Sequence, residues 1–292
     1  MTDEEWLAER FEAQRPQLRA VAYRMLGSLF DADDAVQEAW LRLSRSDSEV
    51  IDNLGGWLTT VVARVALNML RARTTRGERP LEGRLPDPVI ARAAGADPEH
   101  EALVADSVGL ALRVVLDTLS PAERLAFVLH DMFAVPFEDI ATISGRSPAA
   151  ARQLASRGRR RVRGLAPVPD PDLGRQQQVV DAFVAASHAG DFEALVAVLD
   201  PDVVLRSDGG RQEEGASFVI RGARVVAGRA MLFRDMAPYA RSTLVNGTVG
   251  ALVVPDGKLF AVLAFTVTGD RIVEIDVLAD PERLRDLEAS LS

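Results

Sequence analysis

Over residues 6–26, Leu7, Phe11, Leu18, Val21, Ala22, Met25 and Leu26 return near helical period, and Gly27-Ser28 ends the run. A second helix is expected over 31–43, opened by acids in its first turn, where the helix dipole favours them. A third covers 54–73, with Leu58, Val61, Val62, Val65, Ala66 and Met69 turned inward. Pro80, Pro86, Pro88 and Pro98 break the rhythm over 77–98, which reads as a linker. Helical spacing resumes over 99–164. It includes a short helix at 137–143, a stop at Ser144-Gly145, and a restart at Ser147-Pro148, an N-cap followed by proline at the first helical position. After Pro167, Pro169 and Pro171 the pattern changes. Helices over 176–189 and 191–199 meet at Gly190, followed by a strand at 203–206 and a helix around 223–236. Strands are expected at 243–254, 259–268 and 271–278, with Pro255-Asp256-Gly257 and Gly269-Asp270 as turns. On the last strand Val273, Ile275 and Val277 should face one way and Ile272, Glu274, Asp276 and Leu278 the other. The expected architecture is multidomain: all-α domains at 5–76 and 99–164, then an α+β domain with a curved antiparallel sheet at 175–292.

The helix that restarts at Ser147 has unlike sides. Ala151, Leu154, Ala155, Gly158 and Val162 form an inward stripe, while Arg152, Gln153, Ser156, Arg157 and Arg160 point the other way. Those outward types bond to base edges and phosphates. From Ile140 to Pro169 the chain has seven arginines and no acid, so a DNA-reading helix is favoured over an ordinary solvated basic face. A net charge of −9 looks wrong for a DNA binder, but the charge is segregated. Residues 110–165 carry nine basic and five acidic side chains; residues 166–292 carry 12 and 19. DNA responds to the local field within a Debye length of about 10 Å, not to the total.

Two further faces carry candidate chemistry. On the third helix Thr60, Arg64, Asn68 and Arg71 align opposite the apolar stripe, able to hold the phosphates of a single strand and offer polar partners to an extruded base. Trp57 could stack on a base or serve as a core residue. On the second helix Asp33, Asp34, Gln37 and Glu38 lie beside Val36, Trp40 and Leu41, an acidic and apolar face suited to a partner helix bearing arginines. In the last domain Arg206, Asp208, Glu274 and Asp276 are conceivable pocket groups without a convincing acid–base pair, and no enzyme is expected there. With no cysteine and three scattered histidines, no disulfide, metal or other cofactor is expected. The acidic, amphipathic N-terminus and the lack of a long apolar run suggest a cytoplasmic protein that does not enter membranes.

The order of these parts resembles the extracytoplasmic-function (ECF) RNA polymerase sigma factors, in the SigJ-type group with a C-terminal SnoaL-like (NTF2-like) cone domain. Residues 31–42, Asp-Ala-Asp-Asp-Ala-Val-Gln-Glu-Ala-Trp-Leu-Arg, are similar to the sigma-2 helix that docks on the polymerase clamp. Residues 56–71, beginning Gly-Trp-Leu-Thr-Thr-Val-Val-Ala-Arg, resemble the element that melts the −10 region, and 119–163 resemble sigma-4, which reads the −35 element. The resemblance implies core RNA polymerase and promoter DNA as partners. It also implies regulatory contacts through the linker residues Arg84, Leu85 and Pro86 and through Asp208, Gly209, Gly210, Arg211, Asp280 and Pro281, and it admits a small-molecule ligand in the last domain. A one-component transcription factor and a fused cyclase-like enzyme are the alternatives, the first disfavoured by the 31–42 and 56–71 elements.

Overall fold

The computed structural model describes residues 3–46, 51, 53–76, 85–90, 110–165, 167, 169–210 and 217–291. Arg84 and Arg211 lie outside them. The chain divides into two compact units. The described parts of one are 3–76 and 115–165; those of the other are 85–90, 110–114 and 167–291.

The first unit is helical: α1 (Asp3–Leu26), α2 (Leu29–Leu43), α3 (Leu54–Thr75), the later part of α4 (Leu110–Asp117), α5 (Pro121–Phe127), α6 (Phe137–Ser144) and α7 (Pro148–Leu165). Local chemistry sets the joints. Gly27 at φ 77 ends α1, and Ser28 caps α2 by accepting from Asp31 N. Asn53 caps α3, and Ser120 and Glu123 form a capping box on α5. All seven inward positions expected on α1 are buried. On α3 burial is wider than a single stripe, because Ala63, Leu67 and Leu70 are buried as well as Leu58, Val62, Val65 and Ala66. The cause is packing on two sides: α3 lies against α1 and α2 and also against α5 and α6. Three arginines finish the joint. Arg124 donates to Met25 O and Arg73 to Leu26 O, which satisfies carbonyls at the end of α1, and Arg24 packs over the Phe133 ring.

The second unit begins with α8 (Leu173–Ala189) and α9 (Phe192–Val198), joined at Gly190 with Asp191 as N-cap. Next come β1 (Leu199–Asp208), β2 (Phe218–Arg221), α10 (Ala223–Met231), β3 (Ala240–Val245), β4 (Thr248–Val253), β5 (Ala261–Thr268), β6 (Arg271–Leu278) and α11 (Pro281–Leu291). The sheet order is β2-β1-β6-β5-β4-β3, antiparallel except for the β1–β6 pair. One face carries Leu205, Val249, Phe265 and Ile275 against Phe183 of α8, Leu195 of α9 and Val226 of α10. The other carries Val245, Val262, Ala264 and Leu278 against Leu284 and Leu287 of α11 and against Leu85 and Ile90.

Two sequence expectations need correction. The run 243–254 is not one strand: Asn246 (φ 50) and Gly247 (φ 75) turn it into the β3–β4 hairpin, a two-residue turn with both φ positive. Nor does β6 alternate strictly. The register against β5 shifts between Thr266 and Val267, so Ile272 joins Ile275 on the face covered by α8, α9 and α10 instead of lying with Glu274, Asp276 and Leu278. Neither β2 nor α11 was expected. Gly250 in β4 has no room for a side chain, since an added Cβ would sit 2.5 Å from Val245 Cγ2 and 2.6 Å from Leu263 O. Gly250→Ala should therefore destabilise the domain by about 1–3 kcal/mol in a urea melt. An unchanged midpoint would contradict this packing.

Candidate functional site

The helix-turn-helix follows from its joint. α6 ends at Gly145 in the left-handed conformation, and Ser147 Oγ accepts from Ala150 N to start α7. Ala151, Ala155 and Gly158 are buried, the last so closely that an added Cβ would lie 3.0 Å from Phe127 Cβ. The opposite side leaves Arg152, Gln153, Arg157 and Arg160 exposed, with Ser156 half-buried. Arg152 pairs with Glu138 at 2.9 Å and lies over the Phe137 ring, which stacks on His130. Both partners of that ion pair are more than half exposed, so it is worth at most about 1 kcal/mol and a phosphate or base edge can displace it. Two other arginines of the basic run have structural work. Arg159 pairs with Asp131, and Arg161 with the capping-box Glu123. Burial raises the Glu123 pKa, but Ser120, Arg161 and Arg157 outweigh it and hold the carboxyl below its usual value.

On α3, Arg64, Asn68 and Arg71 are exposed, and Thr60 and Trp57 are half-buried. Arg64 Nη2 donates to Thr142 O at 3.3 Å, a contact from this face to α6. On α2, Asp34, Gln37 and Leu41 are exposed. Asp33 pairs with Arg19 of α1, Glu38 pairs with Arg42, and Trp40 packs at 5.0 Å on Phe11. Asp33, Val36, Gln37 and Trp40 share an open groove of about 400 Å³ with α1. Close packing behind this face comes from Ala32, Ala35 and Ala39, all fully buried.

In the second unit Asp208, at the end of β1, accepts from Leu85 N and from Arg283 of α11, and Arg283 also pairs with Asp87 at 2.6 Å. Gly209 and Gly210 continue from it. Gly210 has φ 82, and an added Cβ would strike the Asp280 carboxyl. Asp280 Oδ1 accepts from Glu282 N at the first turn of α11, which begins at Pro281. Leu85, Asp208, Gly210 and Asp280 are thus brought near one another, while Arg84 and Arg211 lie outside the described residues. Asn246 belongs to the same arrangement, and sequence reasoning missed it. Its Oδ1 accepts from Val89 N, and its own N donates to Val89 O. Its one local signal is the Asn-Gly turn.

Arg206 sits between Glu274 and Asp276, at 2.8 and 3.1 Å. Burial pushes Asp276 up to about 6; Arg206 opposes the rise and Glu274 adds to it. A carboxyl raised in the folded state destabilises once ionised, so the domain should gain stability as pH falls from about 6 toward the ordinary carboxylate range near 4. Asp276→Asn should flatten that slope. Equal slopes in thermal melts of the two proteins would refute it.

Residues 10–76 match the Sigma-70 region 2 family and residues 109–162 the Sigma-70, region 4 family. The chain is 38% identical to the ECF RNA polymerase sigma factor SigJ of Mycobacterium tuberculosis, over 94% of this chain and 91% of that protein. The chain is an ECF RNA polymerase sigma factor by family. It is also 32% identical to the probable ECF sigma factor SigI of the same organism, over 100% of this chain and 99% of that one. The crystal structure of M. tuberculosis SigJ superposes with a TM-score of 0.78 at 37% identity, covering 95% of this sigma factor and 98% of that chain. Two helical sigma regions followed by an α+β sheet domain are therefore an arrangement that this sigma factor shares with SigJ. Members of the family are transcription initiation factors, and this sigma factor is not an enzyme. Among the described residues no helix is long and apolar enough to cross a membrane.

Proposed function

We propose that this sigma factor binds core RNA polymerase through Asp33, Asp34, Gln37, Glu38, Trp40 and Leu41. It recognises the −35 element through Ser147, Arg152, Gln153, Ser156, Arg157 and Arg160. It melts the −10 element with Trp57, Thr60, Arg64, Asn68 and Arg71, and so initiates DNA-templated transcription. Residues 5–76 and 99–164 act as the two promoter-reading domains, joined by the linker 77–98. Residues 175–292 modulate them through the linker segment that Asp208, Arg283 and Asn246 hold. An apolar cleft of about 380 Å³, lined by Val196, Leu199 and Val225, is the room this domain offers a small molecule.

The observation that carries the proposal is α7, a helix with one side buried on α5 and the other presenting solvent-exposed Arg152, Gln153, Arg157 and Arg160 directly after a turn. Arg152→Ala should cost about 1–3 kcal/mol of promoter affinity and relax base preference at one −35 position. Arg160→Ala should weaken binding to every sequence alike and lower the salt slope by about one unit. Holoenzyme affinities for promoter variants at several salt concentrations check both. Unchanged values in both proteins would remove α7 from the DNA.

A further inference from the structure

We infer that Asn246 and Arg283 are spacing determinants: by pinning residues 85–90 to the C-terminal domain, they set which promoter spacer lengths the protein accepts. This rests on the two-element reading above and adds to it a measure of distance.

The segment is held from both ends. At one end Leu85 N donates to Asp208, and Arg283 bridges Asp208 and Asp87. At the other, Asn246, 1% exposed, makes two hydrogen bonds with the Val89 peptide, at 2.7 and 2.8 Å, and Ile90 bridges Val245. Leu85 and Ile90, each 3% exposed, are buried in the same apolar cluster as Leu284 and Leu287. A segment with paired backbone, buried side chains and a shared arginine is an integral part of that domain.

Pinning changes how the reading modules are connected. Unpinned, only the linker 77–98 would join them, 22 residues that can span up to about 77 Å. Pinned, the end of the α3 module reaches the C-terminal domain through residues 77–84, a span of at most about 28 Å. The end of α7 reaches the same domain through residues 166–172, at most about 25 Å. Short tethers to a common body raise the effective concentration of the second module where the span matches and forbid it elsewhere. A long flexible tether gives a broad, shallow dependence.

The test is run-off transcription by holoenzyme on promoters whose two elements are moved apart one base pair at a time. Wild type should lose about tenfold or more two base pairs from its optimum. Asn246→Ala with Arg283→Ala should flatten the profile to within about threefold. A second variant, with a flexible Gly/Ser insertion between residues 76 and 85, leaves the pin and the domain intact and should broaden the profile in the same way. Profiles identical to wild type in the insertion variant overturn the proposal whatever the stability of the double variant. Absence of promoter-specific transcript from wild type at every spacing would instead overturn the two-element reading, and this inference with it.

Discussion

Replacing Arg64 and Asn68 together with alanine is expected to abolish open-complex formation while sparing core polymerase binding. Both side chains stand exposed on α3, whose other sides are buried against neighbouring helices, so the substitution changes the face and not the fold. The hydrogen bond lost with Arg64, at 3.3 Å to the Thr142 carbonyl, is long and exposed and contributes little stability. Two lost contacts to the melted strand, at about 1–3 kcal/mol each, would reduce melting by about 30-fold or more. Permanganate reactivity of unpaired thymines reports the bubble directly. Core binding should persist because the α2 face is untouched. Normal reactivity in a folded double variant would remove this stripe from promoter melting.

Arg283→Ala should produce a large loss of stability in the C-terminal domain. The guanidinium is shared by Asp208, whose side chain is 4% exposed, and Asp87. Its removal takes the shared cation away from two neighbouring carboxylates, one of them buried, and breaking a buried ion pair from one side costs about 3–5 kcal/mol. Asp208→Asn in the same background removes one of those charges and should recover part of the loss, the non-additivity expected of groups in one network. Urea unfolding of the four proteins of the cycle measures it. A single-variant change below about 0.5 kcal/mol would mean that the arginine does not hold the segment.

Much of this was legible in the sequence, for a physical reason in each case. On α1 the inward positions follow the helical period up to Leu18, although its last turns, Ala20 to Leu26, are buried all round between α2 and α3. The α6–α7 joint was readable because glycine, serine and proline act within five residues of one another. α3 was only half readable, since burial on two sides adds Ala63, Leu67 and Leu70, which belong to no single stripe. The β6 bulge offers no local signal, so Ile272 was placed on the wrong face. The segment around Leu85 reads as loop because Pro86 and Pro88 forbid regular structure, yet its partners lie far along the chain. Asn246 meets Val89 across 157 residues, and no local pattern announces such a pairing. The arginine run shows the opposite problem: composition marks seven positive charges, and only the packing separates Arg159 and Arg161, tied to Asp131 and Glu123, from the face that carries Arg152, Arg157 and Arg160.

The central claim is that this chain directs polymerase to a promoter, and promoter-specific run-off transcription tests it most directly. Purified protein would be added to core RNA polymerase, free of other sigma factors, on a library of promoter fragments from its own genome. The account predicts discrete transcripts starting a fixed distance downstream of a common pair of elements, absent without the protein and absent with the Arg64→Ala/Asn68→Ala variant. Transcripts no different from those of core enzyme alone on every fragment, from a folded protein that binds core polymerase, would contradict it.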